Sequence, residues 1–493
     1  MSRDKVPHFG PCLFLSVAAL LLGIGGCDLP SPGRTGKGTG GGPVPPWTGR
    51  EDEFKPEFLQ YVRAHPEGTR QSPADVVFAI EQDGNYGYMD RAGIVVVPPV
   101  FSFVMPTDRE GDDGRGDPQR LHAVVGGKWD CAEEAYFQHW GYVDNCGRVR
   151  ILPRFCDAMP FDCGYAPVSV GGDRAGVGYT ELFAKSRGGK WGIIDEAGQF
   201  VVPPRYSHCE YFGQDGLALV LVGGDRSYWP ERRGGKWGFV NKKGRMAIPP
   251  RFDYAGPFGE GLAVVNIGKK PDEGVGDHNW WAVSGKWGVI DTSGHEVIPI
   301  DRPSIDWRGF RKGMARAYDK GADGRRMGLI DARGRWVVPA QFSNIRHFDE
   351  GVAQVRVGEY WGLINRDGEF ILKPRYRDML PFSEGLAAVA VETTKDSYDG
   401  WKWGFIDQSG RLPIPARFGG AESFSEGLAA VGVGEDREPP WGYIDPHGEW
   451  RIRPQFMWAG PFLRGLAEAK LQDGRYRYIN REGEVVTDAY SPG

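Results

Sequence analysis

The sequence predicts an all-β fold: a tandem array of about ten antiparallel β-meander repeats, preceded by one short helix. Three recurring observations support this prediction. A Trp-Gly pair begins an alternating apolar run, an Asp-x-x-Gly turn follows it, and a second short run ends in prolines. The stretch from Gly400 to Val431 contains all three signals in one unit. One small building block therefore accounts for most of the chain.

Each signal has a physical reason. The Trp and the second residue after it share one face of a strand, and the adjacent glycine leaves room for another backbone or ring. We expect Asp407 to accept hydrogen bonds from nearby backbone N–H groups and Gly410 to supply the positive φ that the turn needs. Pro249 and Pro250 cannot donate to a ladder, so they predict a sheet edge. A recurring Gly-Leu-Ala segment adds a strand, which makes three per unit.

The chain before the array divides into three segments. Residues 1–26 are predicted to be a lipoprotein signal peptide, because Arg3 and Lys5 precede an apolar run and small residues precede Cys27. Ile24-Gly25-Gly26-Cys27 looks like a bacterial lipobox, in which Cys27 is the lipid attachment site; ordinary signal-peptidase cleavage nearby is the alternative. Residues 27–50 are rich in Pro and Gly and predict a disordered tether. Residues 51–73 predict a short helical cap, and residues 74–493 the array.

The repeated unit resembles the WG (KWG) repeat family of bacteria. The resemblance extends from Ala74 to Thr487 and implies a module for interactions rather than an activity. It rests on four Lys-Trp-Gly triplets at Lys190, Lys236, Lys286 and Lys402, on Pro203-Pro204 and Pro249-Pro250, and on Gly-Leu-Ala at Gly216, Gly261, Gly385, Gly427 and Gly465. The tryptophans of the recurring pair are expected to be structural: Trp140, Trp191, Trp237, Trp287, Trp361, Trp403 and Trp441.

The array can be open or closed. Propellers usually have four to eight blades. Weaker copies of the Trp-Gly pair have Tyr86 and Met327 in place of Trp, and the glycines of successive copies are spaced unevenly, from 34 residues (Gly328 to Gly362) to 54 (Gly87 to Gly141). We therefore expect an open superhelical, solenoid-like array, with β-propeller-like closure as the alternative. Insertions account for the uneven spacing, and their loops are the first candidates for binding.

Five cysteines lie in the second and third units. In an exported chain they predict disulfides, with pairing that the sequence does not determine, among Cys131, Cys146, Cys156, Cys163 and Cys209. A metal site is the alternative, but the spacings lack the Cys-x-x-Cys form, so no metal and no cofactor are predicted.

Tryptophans outside the recurring pair are the candidate binding residues, because rings on loops often anchor proteins or stack on sugars. They are Trp229, Trp280, Trp281, Trp307, Trp401 and Trp458. The alternative for each is a filler of gaps between uneven units.

No catalytic constellation is recognisable, and a net charge of −5 disfavours nucleic acid as a partner. The sequence therefore predicts a non-enzymatic, exported, membrane-anchored scaffold of the bacterial cell envelope that binds an envelope protein. The alternative is a module that binds carbohydrate or peptidoglycan through loop aromatics. An enzyme would need carboxylates clustered on one face.

Overall fold

The computed structural model describes most of the chain from Pro56 onward. The described residues are 56–70, 74, 77–104, 122–125, 129–130, 135–136, 140–171, 189–224, 234–269, 284–302, 304–321, 324–349, 351–392, 401–434 and 440–488. The segments predicted to be a signal peptide and a tether, with Cys27, lie outside these residues.

One helix, α1 (Pro56–Ala64), is found among these residues, as the sequence predicts. Proline is tolerated at its first position because that N–H has no helical partner, and Glu57 in the first turn and Arg63 in the last complement the helix dipole. Phe58 and Tyr61 are buried against Phe101. In the described part of the chain, no helix has the length and apolar character needed to cross a membrane.

The described strands form ten antiparallel sheets, nine of four strands and one of three, with one additional hairpin. Sheets 1 to 5 contain β1 (Phe78–Gln82), β2 (Asn85–Met89), β3 (Val95–Phe101); β4 (Phe103–Val104), β5 (His122–Val125), β8 (Trp140–Val143), β9 (Val149–Phe155); β10 (Asp157–Ala158), β11 (Tyr165–Val170), β12 (Lys190–Asp195), β13 (Phe200–Tyr206); β14 (His208–Phe212), β15 (Leu217–Val222), β16 (Lys236–Asn241), β17 (Met246–Phe252); and β18 (Tyr254–Ala255), β19 (Leu262–Ile267), β20 (Lys286–Asp291), β21 (Glu296–Arg302). The hairpin, β6 (Trp129–Asp130) with β7 (Ala135–Tyr136), lies in the insertion between β5 and β8.

The second half repeats the four-stranded pattern, and its described residues contain no additional strand pair like β6–β7. Sheets 6 to 10 contain β22 (Ser304–Ile305), β23 (Met314–Gly321), β24 (Gly324–Asp331), β25 (Trp336–Phe342); β26 (Asn344–Ile345), β27 (Ala353–Val357), β28 (Tyr360–Ile364), β29 (Phe370–Tyr376); β30 (Asp378–Met379), β31 (Leu386–Glu392), β32 (Trp401–Asp407), β33 (Ile414–Phe418); β34 (Gly420–Ala421), β35 (Ala429–Gly432), β36 (Trp441–Ile444), β37 (Trp450–Phe456); and β38 (Trp458–Leu463), β39 (Leu466–Lys470), β40 (Tyr476–Ile479), β41 (Val485–Asp488).

Each four-stranded sheet has one strand more than the three predicted per unit. The additional strand comes first and is usually two residues long, as in Tyr254–Ala255, which is too short to produce an alternating pattern. The Gly-Leu-Ala and Trp-Gly strands occupy the middle of the sheet and are buried. The last strand, called the outer strand below, is an edge, and Pro249 and Pro250 lie on it. This confirms the prediction that the prolines mark a sheet edge.

The Asp-x-x-Gly turn has the predicted geometry. In the unit that contains Asp407, its Oδ1 accepts hydrogen bonds from the N–H groups of Ser409 at 2.9 Å and Arg411 at 3.0 Å, and Gly410 has φ +78°. Asn241 takes the same role in sheet 4, because an amide oxygen accepts the same two bonds.

The sheets close into a ring, the alternative to the open array preferred from sequence. Each sheet shares a cluster of buried apolar side chains with the next one along the chain. A last cluster joins sheet 1 to sheet 10 and includes Phe78, Met89 and Tyr478, with the rings of Phe78 and Tyr478 5.4 Å apart. The architecture is a β-propeller, in which every sheet buries both faces and no end needs a cap.

Two kinds of polar contact hold neighbouring sheets in register. An arginine of the outer strand donates to a turn carbonyl of the next sheet, as Arg251 does to Gly294 at 2.7 Å. In the turn after the first strand, glutamates such as Glu384 adopt a positive φ, and the Glu384 carboxylate accepts from the N–H of Gly427 in the next sheet at 2.9 Å. Both contacts cross the sheet boundary, so they fix the position of one sheet on its neighbour.

Candidate functional site

The recurring tryptophans lie in the core or at its border. Five are almost completely buried, and the remaining two are half-buried: Trp140, Trp191, Trp237, Trp287 and Trp361, then Trp403 and Trp441. Trp237 is opposite Phe252 of the outer strand. A Cβ on the adjacent Gly238 would lie 2.7 Å from the Ile248 carbonyl oxygen, which is why this position needs glycine.

Some of these tryptophan rings belong to a series of aromatic contacts that extends from one sheet to the next. The ring centroids of Trp191 and His208 are 5.1 Å apart, those of His208 and Trp237 6.1 Å, and those of Trp237 and Tyr254 6.4 Å. Trp287 follows 5.9 Å from Tyr254. Sheets 3, 4 and 5 are thus joined by one series of aromatic contacts, which is a packing role.

Of the candidate binding tryptophans, Trp229, Trp280 and Trp281 lie outside the described residues. Trp307 packs against the apolar clusters on both sides of sheet 6. Trp401 begins β32 in sheet 8, and Trp458 begins β38 in sheet 10, where its ring is 6.1 Å from that of Tyr476. These three described tryptophans are half-buried and belong to three different sheets, so they do not form one site.

The cysteines have diverse surroundings. Cys146 and Cys209 have free thiols, and burial raises the pKa of both, well above the ordinary value for Cys209. Cys131 lies outside the described residues. Because Cys131 is not among the described residues, the predicted pairing among the five cysteines stays a prediction. Within the described residues, no group of His, Cys, Asp and Glu side chains is placed to hold a metal ion.

Exposed apolar side chains recur where the outer strand begins, directly after the Asp-x-x-Gly turn. Phe370 is 45% exposed there, although it is large and aromatic. We call this set the apolar rim, and it consists of Ile94, Val95, Phe200, Met246, Val297, Trp336, Val337, Phe370, Ile371 and Val485. Sheets 3 to 7 all contribute, so the rim follows five consecutive sheets. The rim was not predicted, although apolar residues after a turn on an edge strand are a readable signal.

A second surface combines two aromatic rings with an arginine. The guanidinium of Arg377 lies 5.4 Å from the ring centroid of Trp401 and 5.9 Å from that of Tyr360, and it is ion-paired with Glu359. Tyr360 is 37% exposed. Only Trp401 of this group was expected from sequence, because the three residues come from separate strands and turns.

A third feature is a buried group of charges between sheets 6 and 7. Asp306 is completely buried and is ion-paired with Arg308 and Arg316. Arg316 and Gln354 occupy the Gly-Leu-Ala strands at the position where Ala388 stands in sheet 8. The sequence contains a signal for this group, because a polar residue replaces a small apolar one in each of these strands. It was not recognised because the candidate binding residues were expected on loops.

Comparison with protein families gives one match. A family described as a WG containing repeat matches residues 86–111, 140–172, 191–224, 237–270, 287–319, 327–361, 361–392, 403–435 and 441–476. Together these nine segments cover more than half of the chain. Each starts at the Trp-Gly strand of one sheet and includes strands of the next sheet, so the sequence repeat and the sheet are offset. No curated protein matches the chain.

Several solved structures are similar at low sequence identity. A crystal structure of a eukaryotic initiation factor is 11% identical, with a TM-score of 0.41, over 77% of this chain and 95% of that one. BamB from Moraxella catarrhalis is 12% identical, with a TM-score of 0.29, over 66% and 91%. The β-propeller domain of the Trilobed protease from Pyrococcus furiosus is also 12% identical, with a TM-score of 0.29, over 58% and 89%.

Proposed function

The chain belongs to the WG-repeat family, and from that premise we propose that it is a non-enzymatic scaffold that binds an envelope protein. The apolar rim carries this proposal. Exposed apolar residues on an edge strand are an aggregation hazard unless a partner covers them. Here they recur at equivalent positions of consecutive sheets, which favours a partner with a matching apolar surface.

The proposed site of action is the bacterial cell envelope. Cys27 would carry the lipid, and residues 27–50 would hold the ring away from the membrane. In the sequence analysis, Cys27 and residues 27–50 are the features that predict an exported, lipid-anchored protein. The apolar rim would be the surface that the anchored ring presents to its partner.

Site-specific photo-crosslinking in cells tests the proposal. A photoreactive residue is placed in the full chain at Trp336 or Phe370 on the rim. Control chains carry it at Ile267 or Val357, which are similarly exposed apolar residues at the other end of their sheets. We expect one discrete protein adduct shared by the two rim positions and absent from the controls. Equal adducts at all four positions, or none at the rim, would count against a rim interface.

A second candidate is binding of carbohydrate or peptidoglycan through the Tyr360–Arg377–Trp401 group. Aromatic rings and an arginine can stack on and hydrogen-bond to sugars, and these three groups are already in contact. Sedimentation with purified cell wall would show weaker binding for Trp401→Ala than for the control Trp336→Ala. Equal binding by both variants would remove this candidate.

A further inference from the structure

An arginine contact recurs at the boundaries between sheets, where the outer strand of one sheet meets the Asp-x-x-Gly turn of the next. Arg251 lies over the ring of Phe252, 4.9 Å from its centroid, and donates to the Gly294 carbonyl oxygen of the next sheet at 2.7 Å. The same two contacts are made by Arg154, Arg205 and Arg417. Each of these arginines covers an aromatic ring and satisfies a turn carbonyl at the same time.

The helix α1 replaces this arginine at the boundary of sheets 1 and 2. Val100 precedes Phe101 there, so the outer strand supplies no guanidinium to cover the ring. Instead, the ring of Phe58 lies 5.4 Å from that of Phe101, and the Tyr61 hydroxyl donates to the Gly147 carbonyl oxygen of sheet 2. Two aromatic side chains three positions apart on one helix face therefore make both contacts.

The same helix buries the rim position of sheet 2. Val149 is the first residue of that outer strand, which is the position that Phe370 has in sheet 7. Val149 is 6% exposed and shares an apolar cluster with Phe58 and Tyr61, whereas Phe370 is 45% exposed. An amphipathic helix lying over a boundary is thus a fitting cover for a rim position of this fold.

The boundary of sheets 6 and 7 has neither cover in the part of the chain that the structure describes. Gln341, whose side chain is exposed, precedes the buried ring of Phe342 in place of the arginine. The rings of Phe342 and Phe370 are 6.2 Å apart, so the rim residue lies against the boundary aromatic. Among the described residues, no donor reaches the Gly368 carbonyl oxygen of the turn.

The turn glycines show how closely each boundary is covered. At nine of the ten Asp-x-x-Gly or Asn-x-x-Gly turns, a Cβ on the glycine would lie within 4 Å of an atom of the preceding sheet. Gln455 is the other glutamine at this position, and its Nε2 comes within 3.2 Å of the Cβ position at Gly483. The exception is Gly368, where nothing in the described chain lies within 4 Å. The boundary of sheets 6 and 7 is therefore an open groove.

We propose that this groove, bounded by Gln341, Phe342, Gly368 and Phe370, binds an amphipathic helix of the partner protein. The inference rests on the proposed function and specifies how the partner would cover the apolar rim. The helix would place an aromatic ring on Phe370 and, three residues later, a hydroxyl or guanidinium donor on the Gly368 carbonyl oxygen. The helix α1 of this chain is already bound at the boundary of sheets 1 and 2, so the occupant comes from another protein.

Fluorescence anisotropy with the purified full chain tests the groove. The probe is a labelled, side-chain-stapled peptide of residues 56–66, because an unstapled helix of this length is marginal in water. A peptide with Phe58→Ser and Tyr61→Ser is the control for the aromatic pair. In the protein, Gln341→Arg closes the groove with the contact that the other boundaries have. Gln199→Arg is the matched control, because it adds the same charge at an exposed turn position of sheet 3.

We expect saturable binding of the probe by the wild type and by Gln199→Arg, and binding about tenfold weaker or lost in Gln341→Arg. No binding by the wild type, unchanged affinity in Gln341→Arg, or equal binding of the control peptide overturns the proposal. A probe that only displaces α1 from its own boundary gives unchanged affinity in Gln341→Arg. If Gln341→Arg does not fold, Phe370→Ser replaces it: weaker binding supports the groove, and unchanged binding overturns it.

Crosslinking in cells from a photoreactive residue at Phe370 separates this proposal from the proposed function. No discrete adduct in the wild type removes the proposed function. An adduct that is equally abundant in Gln341→Arg keeps the rim as an interface and removes the helix groove. An adduct lost in Gln341→Arg and retained in Gln199→Arg supports the groove. A crosslink to α1 of a second copy would identify another occupant and overturn the partner helix.

Discussion

At the residue scale, the glycine of each Trp-Gly pair is a packing requirement. A Cβ at Gly238 would lie 2.7 Å from the Ile248 carbonyl oxygen and 2.8 Å from Pro250 N, and both atoms belong to the backbone of the outer strand. Gly238→Ala should therefore lower the free energy of unfolding by about 2 kcal/mol or more, measured by urea denaturation. Gly259→Ala is the matched control, because the nearest atom there is 3.7 Å away. Equal stability of the two variants would mean that the outer strand moves aside freely.

His347 makes stability depend on pH. Burial lowers its pKa from 6.5 to about 4; Arg316 lowers it further, Asp306 opposes this, and Arg311 and Arg308 also lower it. The unfolded chain then binds the proton at a higher pH than the folded chain. Its contribution to stability is present above pH 6.5 and is lost as pH falls towards 4, by at most about 3 kcal/mol.

The difference in unfolding free energy between wild type and His347→Gln isolates this effect, because the carboxylates titrate in both proteins. We expect the difference to change in favour of the variant as pH falls from 6.5 to 4. A difference that stays constant across this window would show that His347 is as easily protonated in the folded chain as in the unfolded one.

At the scale of the element, the Asp-x-x-Gly turn should tolerate asparagine and reject alanine. Asp407→Asn keeps the acceptor for the N–H groups of Ser409 and Arg411, as Asn241 and Asn365 do in their own turns. Asp407→Ala loses both bonds and should cost about 1 kcal/mol. Thermal unfolding of the two variants checks this. If Asn proves as destabilising as Ala, the charge rather than the accepting oxygen stabilises the turn.

The elements show what local sequence can predict. The Trp-Gly strand, the turn and the proline edge repeat in sequence because each needs particular residues, so all three were predicted. The short first strand was missed, since the two residues of Tyr254–Ala255 have no alternation to read. The polar cluster was missed for another reason. Arg316 and Gln354 are ordinary polar residues in isolation. The pairing of the short first strand with the second strand brings Arg316 near Asp306 in sheet 6 and Gln354 near Arg346 in sheet 7.

At the scale of the whole molecule, the spacing of the repeats gave a wrong preference for an open array. The spacing varies because insertions such as the β6–β7 hairpin lengthen loops, while the sheets keep their strand order. Closure depends on the small rotation between neighbouring sheets, which no local pattern encodes. At the closing junction, Phe78 and Tyr478 are strand residues like many others in the chain. Sheet 1 consists only of strands from the N-terminal end of the array, and sheet 10 only of strands from its C-terminal end. Because the two sheets exchange no strand, the packing of their side chains closes the ring.

The closed ring is the central claim, and an intramolecular crosslink tests it most directly. A Cβ at Gly93 in sheet 1 would lie 2.9 Å from Val486 Cγ1 in sheet 10, although the two residues are at opposite ends of the array. A photoreactive residue at position 486 of the purified full chain should therefore form a crosslink to the segment around Gly93, in a yield independent of protein concentration, as mapped by peptide mass spectrometry. Crosslinks confined to sheets 9 and 10, or a link to sheet 1 that appears only between two chains, would contradict closure.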